Sequence, residues 1–177
     1  SHDVSHAIRV SEIALRDLDQ PDDARALIYI AGMCHDTCDP KYVNKDRALV
    51  DLRQVSLLAG VASEDIDDMI EAVFYVSYTR LRSSGVPTFR TSRASTIWRA
   101  VSDADMLESM GATGLVRTLM HQGYKGIPSV DDPLDYAVVH LTRCEEYITT
   151  SALMSEAKRR RGTMMTLATH LRGPGRR

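Results

Sequence analysis

The sequence predicts an all-α fold, and three observations carry that reading. Apolar residues recur at three- and four-residue intervals along nearly the whole chain. Gly, Pro and short polar residues fall between these periodic stretches rather than inside them. No stretch shows a two-residue alternation that reads as a strand.

The elements follow in order. Val4, Ala7, Ile8, Ser11, Ala14, Leu15 and Leu18 share one helical face, which predicts a helix over Val4–Leu18. Pro21-Asp22 marks a break and a new start, because Pro fits a first turn and Asp caps exposed amides. Ala24–Cys34 is apolar almost all round, the pattern of a buried helix. It runs into His35-Asp36 and stops at Pro40. A third helix is expected over Asp46–Leu58, ended by Gly60, and a fourth from Ser63-Glu64-Asp65 to about Val76. Tyr78–Ser92 holds Gly85, Pro87 and several Ser, so it reads as a loop; it carries Arg80, Arg82 and Arg90, with Arg93 just beyond. A fifth helix is expected from Ser92 to Met110, then short helices leading to a tight loop at Gly123-Tyr124-Lys125-Gly126. Asp132-Pro133 opens a helix to about Thr149, Ser151 opens the last to about Leu171, and 173–177 read as a disordered tail. With no repeat or linker visible, residues 1–177 read as one domain.

Composition narrows the function classes. The chain has 177 residues, 44% hydrophobic and 26% charged, enough for a real core. With 22 basic and 24 acidic residues and a formal net charge of -2, no field favours nucleic acid or a membrane surface. No apolar run approaches the ~20 residues of a bilayer span. Cys34, Cys38 and Cys144 make an odd number and no Cys-x-x-Cys, so reduced thiols in a cytoplasmic compartment are the expectation.

The chemistry concentrates where charge meets apolar helices. His35-Asp36 closes an almost wholly apolar segment, and a buried carboxylate costs several kcal/mol without a cation or strong hydrogen bonds. The helix C-terminus adds negative potential, which favours a bound cation. In the fifth helix, Ala94, Trp98, Val101 and Asp105 form one stripe, so Asp105 is expected to point inward. Asp103 is expected to turn away, toward Thr96 and Arg99, as a surface or supporting group. On the first helix, His6 flanks the core face with Val10 and Ile13. Together, His6, His35, Asp36 and Asp105 offer two nitrogens and two oxygens, a set for one divalent ion such as Mn²⁺, Mg²⁺, Co²⁺ or Fe²⁺. Such a site activates water and polarises a phosphoryl oxygen.

The chain here resembles the HD-domain phosphohydrolases. Asp3-Val4-Ser5-His6-Ala7-Ile8-Arg9-Val10 looks like their opening Asp-x-x-His-x-x-Arg-Val, and His35-Asp36-Thr37-Cys38-Asp39-Pro40-Lys41-Tyr42 is similar to their central His-Asp motif. Asp103-Ala104-Asp105-Met106-Leu107-Glu108-Ser109-Met110-Gly111-Ala112 and Gly123-Tyr124-Lys125-Gly126 resemble two later segments of a bacterial branch that hydrolyses nucleotides. The four motifs stand in order and cover nearly the whole chain. The resemblance implies an HD-type helical bundle with His6, His35, Asp36 and Asp105 as metal ligands. It implies Asp39 as the acid–base or water-orienting carboxylate, and Lys41, Lys125 and Arg9 as phosphate contacts. The implied partner is a small phosphorylated molecule, a nucleotide, cleaved as a phosphomonoester or to release pyrophosphate. Two departures bear on substrate: Met106 stands where the branch has Arg, and Ile127 where a basic residue follows the Gly-rich loop. The stretch 71–78 lacks the further His of two-metal members, which favours one ion.

Each residue also has a plainer role. Asp39 before Pro40 suits a turn, Lys41 and Lys125 are ordinary surface lysines outside their motifs, and the arginines at 80–93 suit a solvated face. Lys158-Arg159-Arg160-Arg161 reads as a solvated helix face, and His2, His121, His140 and His170 carry no ligand pattern. Two function classes result: a metal-dependent phosphohydrolase, and a catalytically silent HD domain that binds a nucleotide or partner as a sensor. Met106 is the feature that favours the second.

Overall fold

A computed structural model describes residues 4–16, 20, 22–37, 44–126 and 131–172. Asp39, Lys41, Cys38, His2, Ile127 and the tail 173–177 lie outside the described residues. Those that are described form helices α1 (Val4–Ala14), α2 (Asp22–Cys34), α3 (Lys45–Leu58), α4 (Ser63–Tyr75), α5 (Tyr78–Ser84), α6 (Ser92–Glu108), α7 (Gly111–Tyr124), α8 (Asp131–Val139) and α9 (Ser151–Arg172), with a 3-10 helix, η1, over Leu141–Tyr147. No strand occurs among them, and none of their helices is long and apolar enough to cross a membrane. The all-α expectation holds. The chain divides into two compact units, 2–104 and 105–177, the division falling in sequence inside α6.

In the first unit, α1 lies against α2, and α4 packs on both α2 and α3. Val10, Ile13, Ile28, Ile66 and Met69 are buried there. The approach of α1 to α2 is unusually close. A methyl group added at Gly32 would stand 2.8 Å from the Ser11 Cα and 2.6 Å from its Oγ. Ser11 Oγ turns its proton to neighbouring carbonyls, with Ala7 O at 2.9 Å and Tyr29 O at 3.0 Å, so a hydroxyl sits at this crossing without an orphaned donor. α2 is amphipathic rather than buried all round, since Tyr29 is 40% exposed.

The expected loop over Tyr78–Ser92 is in part a helix. Ser77 caps α5 by accepting from the Arg80 amide at 3.4 Å, and Gly85 ends it at φ 75°. A seven-residue helix with one buried apolar side chain, Leu81, leaves too few periods for pattern reading. Beyond it, Asp68 is buried and accepts from Thr91 Oγ1 at 2.9 Å and Arg93 Nε at 2.7 Å, fixing the start of α6 against α4. Trp98 Nε1 donates to the Tyr75 carbonyl at 3.2 Å, and the Phe89 ring packs on both aromatics.

In the second unit, α7 packs on α8 and α9, and Leu115, Leu134, Ala137, Met164 and Ala168 close its core. Where short helices were expected after Gly111, one helix of 14 residues forms. The helix expected over Asp132–Thr149 instead breaks at His140 into η1. Leu141 and Cys144 are buried three residues apart, a spacing that fits a 3-10 turn as well as an α-helix. Glu108 is 2% exposed at the end of α6. It faces Arg160 Nη1 at 3.5 Å and Arg117 Nη1 at 3.9 Å, while the same Arg160 nitrogen donates to the Leu107 carbonyl at 2.8 Å. Arg160 of the basic run is thus a half-buried structural cation.

Candidate metal centre

The site is built where α1 crosses the end of α2. His6 is on the buried face of α1 with Val10 and Ile13. His35 is the first residue past α2, and Asp36 follows in the turn. The close Gly32–Ser11 crossing carries α1 in toward this turn, so His6 converges with a His-Asp pair from a distant stretch of the sequence. One ligand atom from each of His6, His35 and Asp36 can lie within 4.8 Å of the other two. His6 Nε2 is 3.5 Å and His35 Nε2 is 3.3 Å from Asp36 Oδ2. The imidazole centroids are 5.1 Å apart at 68°, edge to face.

These separations suit a shared cation. Two donors about 2.1 Å from one ion lie about 3.0 Å apart at a right angle and about 3.4 Å apart at a tetrahedral angle. The tautomer agrees. His35 Nδ1 lies 2.7 Å from the Gly32 carbonyl, which can only accept, so Nδ1 carries the proton and Nε2 offers its lone pair to the site. Both rings are almost wholly buried, whereas the Asp36 side chain is 27% exposed. The nitrogens are therefore held rigidly while the carboxylate side opens to solvent. Two imidazoles and a carboxylate fit a borderline divalent ion.

Of the other expected site residues, Arg9 is partly exposed on α1, one turn beyond His6, and Lys125 is exposed at the C-cap of α7. Asp105 and Lys125 belong to the second unit, and Asp39 and Lys41 lie outside the described residues. The expected contrast between Asp103 and Asp105 is corrected: Asp103 is 2% exposed, and Asp105 is the less buried of the two. α6 is buried on nearly every side from Ala100 to Glu108, so helical phase has no polar face there to measure against. Met106, the departure from the branch pattern, is buried and brings no charge. Desolvation by burial pushes the Cys144 thiol up to about 12, and the negative charge of Asp105 adds to that shift.

Among the arginines at 80–93, Arg90 and Arg93 are committed to carboxylates of α4. Arg93 pairs with Asp68 at 2.7 Å and Asp65 at 2.6 Å, and Arg90 pairs with Glu71 at 3.2 Å. What sequence reasoning missed is Gly32 opposite Ser11; two small residues on facing helices were the available signal.

Comparison with known proteins adds to this geometry. No family model matches the chain. YpgQ, an uncharacterized protein of Bacillus subtilis, is 29% identical over 126 residues, 71% of this chain. The match spans 59% of that relative's length. The crystal structure of B. subtilis YpgQ in complex with ADP superposes with a TM-score of 0.75 at 23% identity, covering 98% of this chain and 91% of that one. An HD-superfamily hydrolase from Bacillus thuringiensis gives 0.72 at 22% identity, covering 97% and 85%. The chain has the HD-superfamily fold. On an HD fold, the His35-Asp36 pair and its partner His6 are the residues that this structure brings together.

Proposed function

We propose that this chain is an HD-type metal-dependent phosphohydrolase acting on a nucleotide or a related phosphoester or phosphoanhydride. The observation that carries the reading is the His6–His35–Asp36 cluster, two buried imidazoles beside a partly exposed carboxylate, with its donor spacing and fixed His35 tautomer. The ADP complex of YpgQ and the HD-superfamily hydrolase of B. thuringiensis support it. His6, His35 and Asp36 hold one divalent ion (Mn, Mg, Co or Fe), and the sequence motif makes Asp105 the fourth ligand. Such an ion supplies activated water and electrostatic stabilisation of the phosphoryl group. Asp39 takes or steers a proton of the attacking water. Lys41, Lys125 and Arg9 neutralise charge that develops on phosphoryl oxygens.

The test is a panel of nucleoside mono-, di- and triphosphates incubated with Mn²⁺, with products identified by chromatography. Release of phosphate or pyrophosphate by the wild type and its loss in Asp36→Ala are expected. Turnover retained by metal-free Asp36→Ala would sink the reading. Met106, an uncharged residue where the resembling branch has Arg, favours a second reading, a silent HD domain that binds a nucleotide as a sensor. In that case nucleotide raises the melting temperature and is recovered intact.

A further inference from the structure

A cavity lies entirely within the first unit and shares no residue with the metal cluster. It measures about 430 Å³ and lies between the end of α4, helix α5 and the turn after it, lined by Phe74, Tyr75, Arg80, Leu81, Gly85 and Pro87, with Ser84 and Thr88. That volume is within the usual range of small-molecule sites, roughly 300–1,000 Å³. Its walls combine two aromatic rings with one cation. The Arg80 guanidinium lies 4.9 Å from the Phe74 ring centroid and 5.6 Å from that of Tyr75. Its Nη1 donates to the Phe74 carbonyl at 2.8 Å, which fixes the plane of the group. Among the described residues Arg80 has no carboxylate partner, in contrast to Arg90 and Arg93 close by. The rings and Nη1 leave Nε and Nη2 to donate, and two donors on one planar edge match an oxyanion. Ser84 and Thr88 are exposed at the rim.

We propose that this cavity binds a small planar ring bearing an oxyanion, of the nucleoside monophosphate or aromatic carboxylate kind. The ring packs among Phe74, Tyr75, Leu81 and Pro87, and the oxyanion meets Arg80. Because the cavity is independent of the metal ligands, occupancy does not require a divalent ion.

The sequence has a single tryptophan, Trp98, joined to the cavity wall through its hydrogen bond to the Tyr75 carbonyl. Its fluorescence therefore reports occupancy. The experiment titrates AMP, adenosine and benzoate into the wild type in excess EDTA, with calorimetry beside fluorescence. Saturable binding is expected for AMP or benzoate, at least tenfold weaker binding for uncharged adenosine, and no change in His35→Ala. Which anion binds tells the two sources apart. Arg80→Gln should weaken the anion at least tenfold. Ser84→Phe, which fills the mouth without touching the Arg80–Phe74 bond, should abolish binding even where Arg80→Gln fails to fold. If neither anion binds, if binding survives Ser84→Phe, or if it is lost in His35→Ala, the assignment is overturned. Failure here leaves the metal-centre reading intact, since no metal enters the assay.

Discussion

Gly32→Ala perturbs the crossing that builds the metal centre without altering any ligand. An alanine methyl would lie 2.8 Å from the Ser11 Cα, and reaching an ordinary 3.4 Å contact requires α1 to retreat about 0.6 Å. The neighbours of that methyl include the backbone N and Cα of Ser11, so a rotamer change cannot relieve the clash. Two free-energy terms oppose each other. Alanine in a helix interior gains up to about 1 kcal/mol over glycine, while overpacking a tight contact costs about 1–3 kcal/mol. The net expectation is a loss of up to about 2 kcal/mol in urea unfolding. The effect on the ion is sharper, because ligand positions tolerate only about 0.2 Å. A 0.6 Å retreat of α1 carries His6 out of register with His35 and Asp36. Mn²⁺ affinity, measured by calorimetry on folded protein, should fall at least tenfold. Wild-type affinity with unchanged stability would refute the claim that this crossing sets the site.

Three further outcomes follow from the same geometry. His6→Ala removes the α1 ligand, and Mn²⁺ affinity should drop about a hundredfold or more while the circular dichroism spectrum remains helical; unchanged affinity would exclude His6 as a ligand. Glu108→Ala leaves Arg117 and Arg160 facing a half-buried gap, and urea unfolding should show a loss of about 2–4 kcal/mol; a loss under about 0.5 kcal/mol would show the cluster to be idle. Cys144 is 1% exposed and its thiol is raised from 9.0 to about 12, so its folded form binds the proton more tightly than the unfolded chain. The stability this contributes is complete below pH 9 and disappears as pH rises from 9 to about 12. Peptide mass spectrometry after iodoacetamide at pH 8 should find Cys144 unmodified in folded protein and modified in urea.

Much of the fold was legible because long amphipathic helices announce themselves. Gly60 and Gly111 follow the helices they punctuate, and the starts of α2, α3, α4 and α9 lie within two residues of where the spacing puts them. What was not legible is short or locally ambiguous. α5 spans two turns and buries one leucine, and η1 repeats every three residues where the pattern cannot separate 3-10 from α. In the site, His6 and His35-Asp36 were readable because polar groups interrupted apolar stripes. The choice between Asp103 and Asp105 was not readable from phase, because α6 has almost no solvent face there. The arginines at 80–93 looked alike in sequence. Only their partners separate Arg90 and Arg93, bound to acids of α4, from Arg80, which turns to aromatic rings.

By the proposed function, His6, His35 and Asp36 hold a divalent ion that the chain uses on phosphorylated substrates. Equilibrium dialysis against Mn²⁺, followed by elemental analysis, tests the first half of that claim directly. A single equivalent per wild-type chain is expected, lost in Asp36→Ala and in His35→Ala while both variants remain folded. Stoichiometric ion retained by folded Asp36→Ala and His35→Ala would contradict it, because nothing would then tie the ion to this cluster.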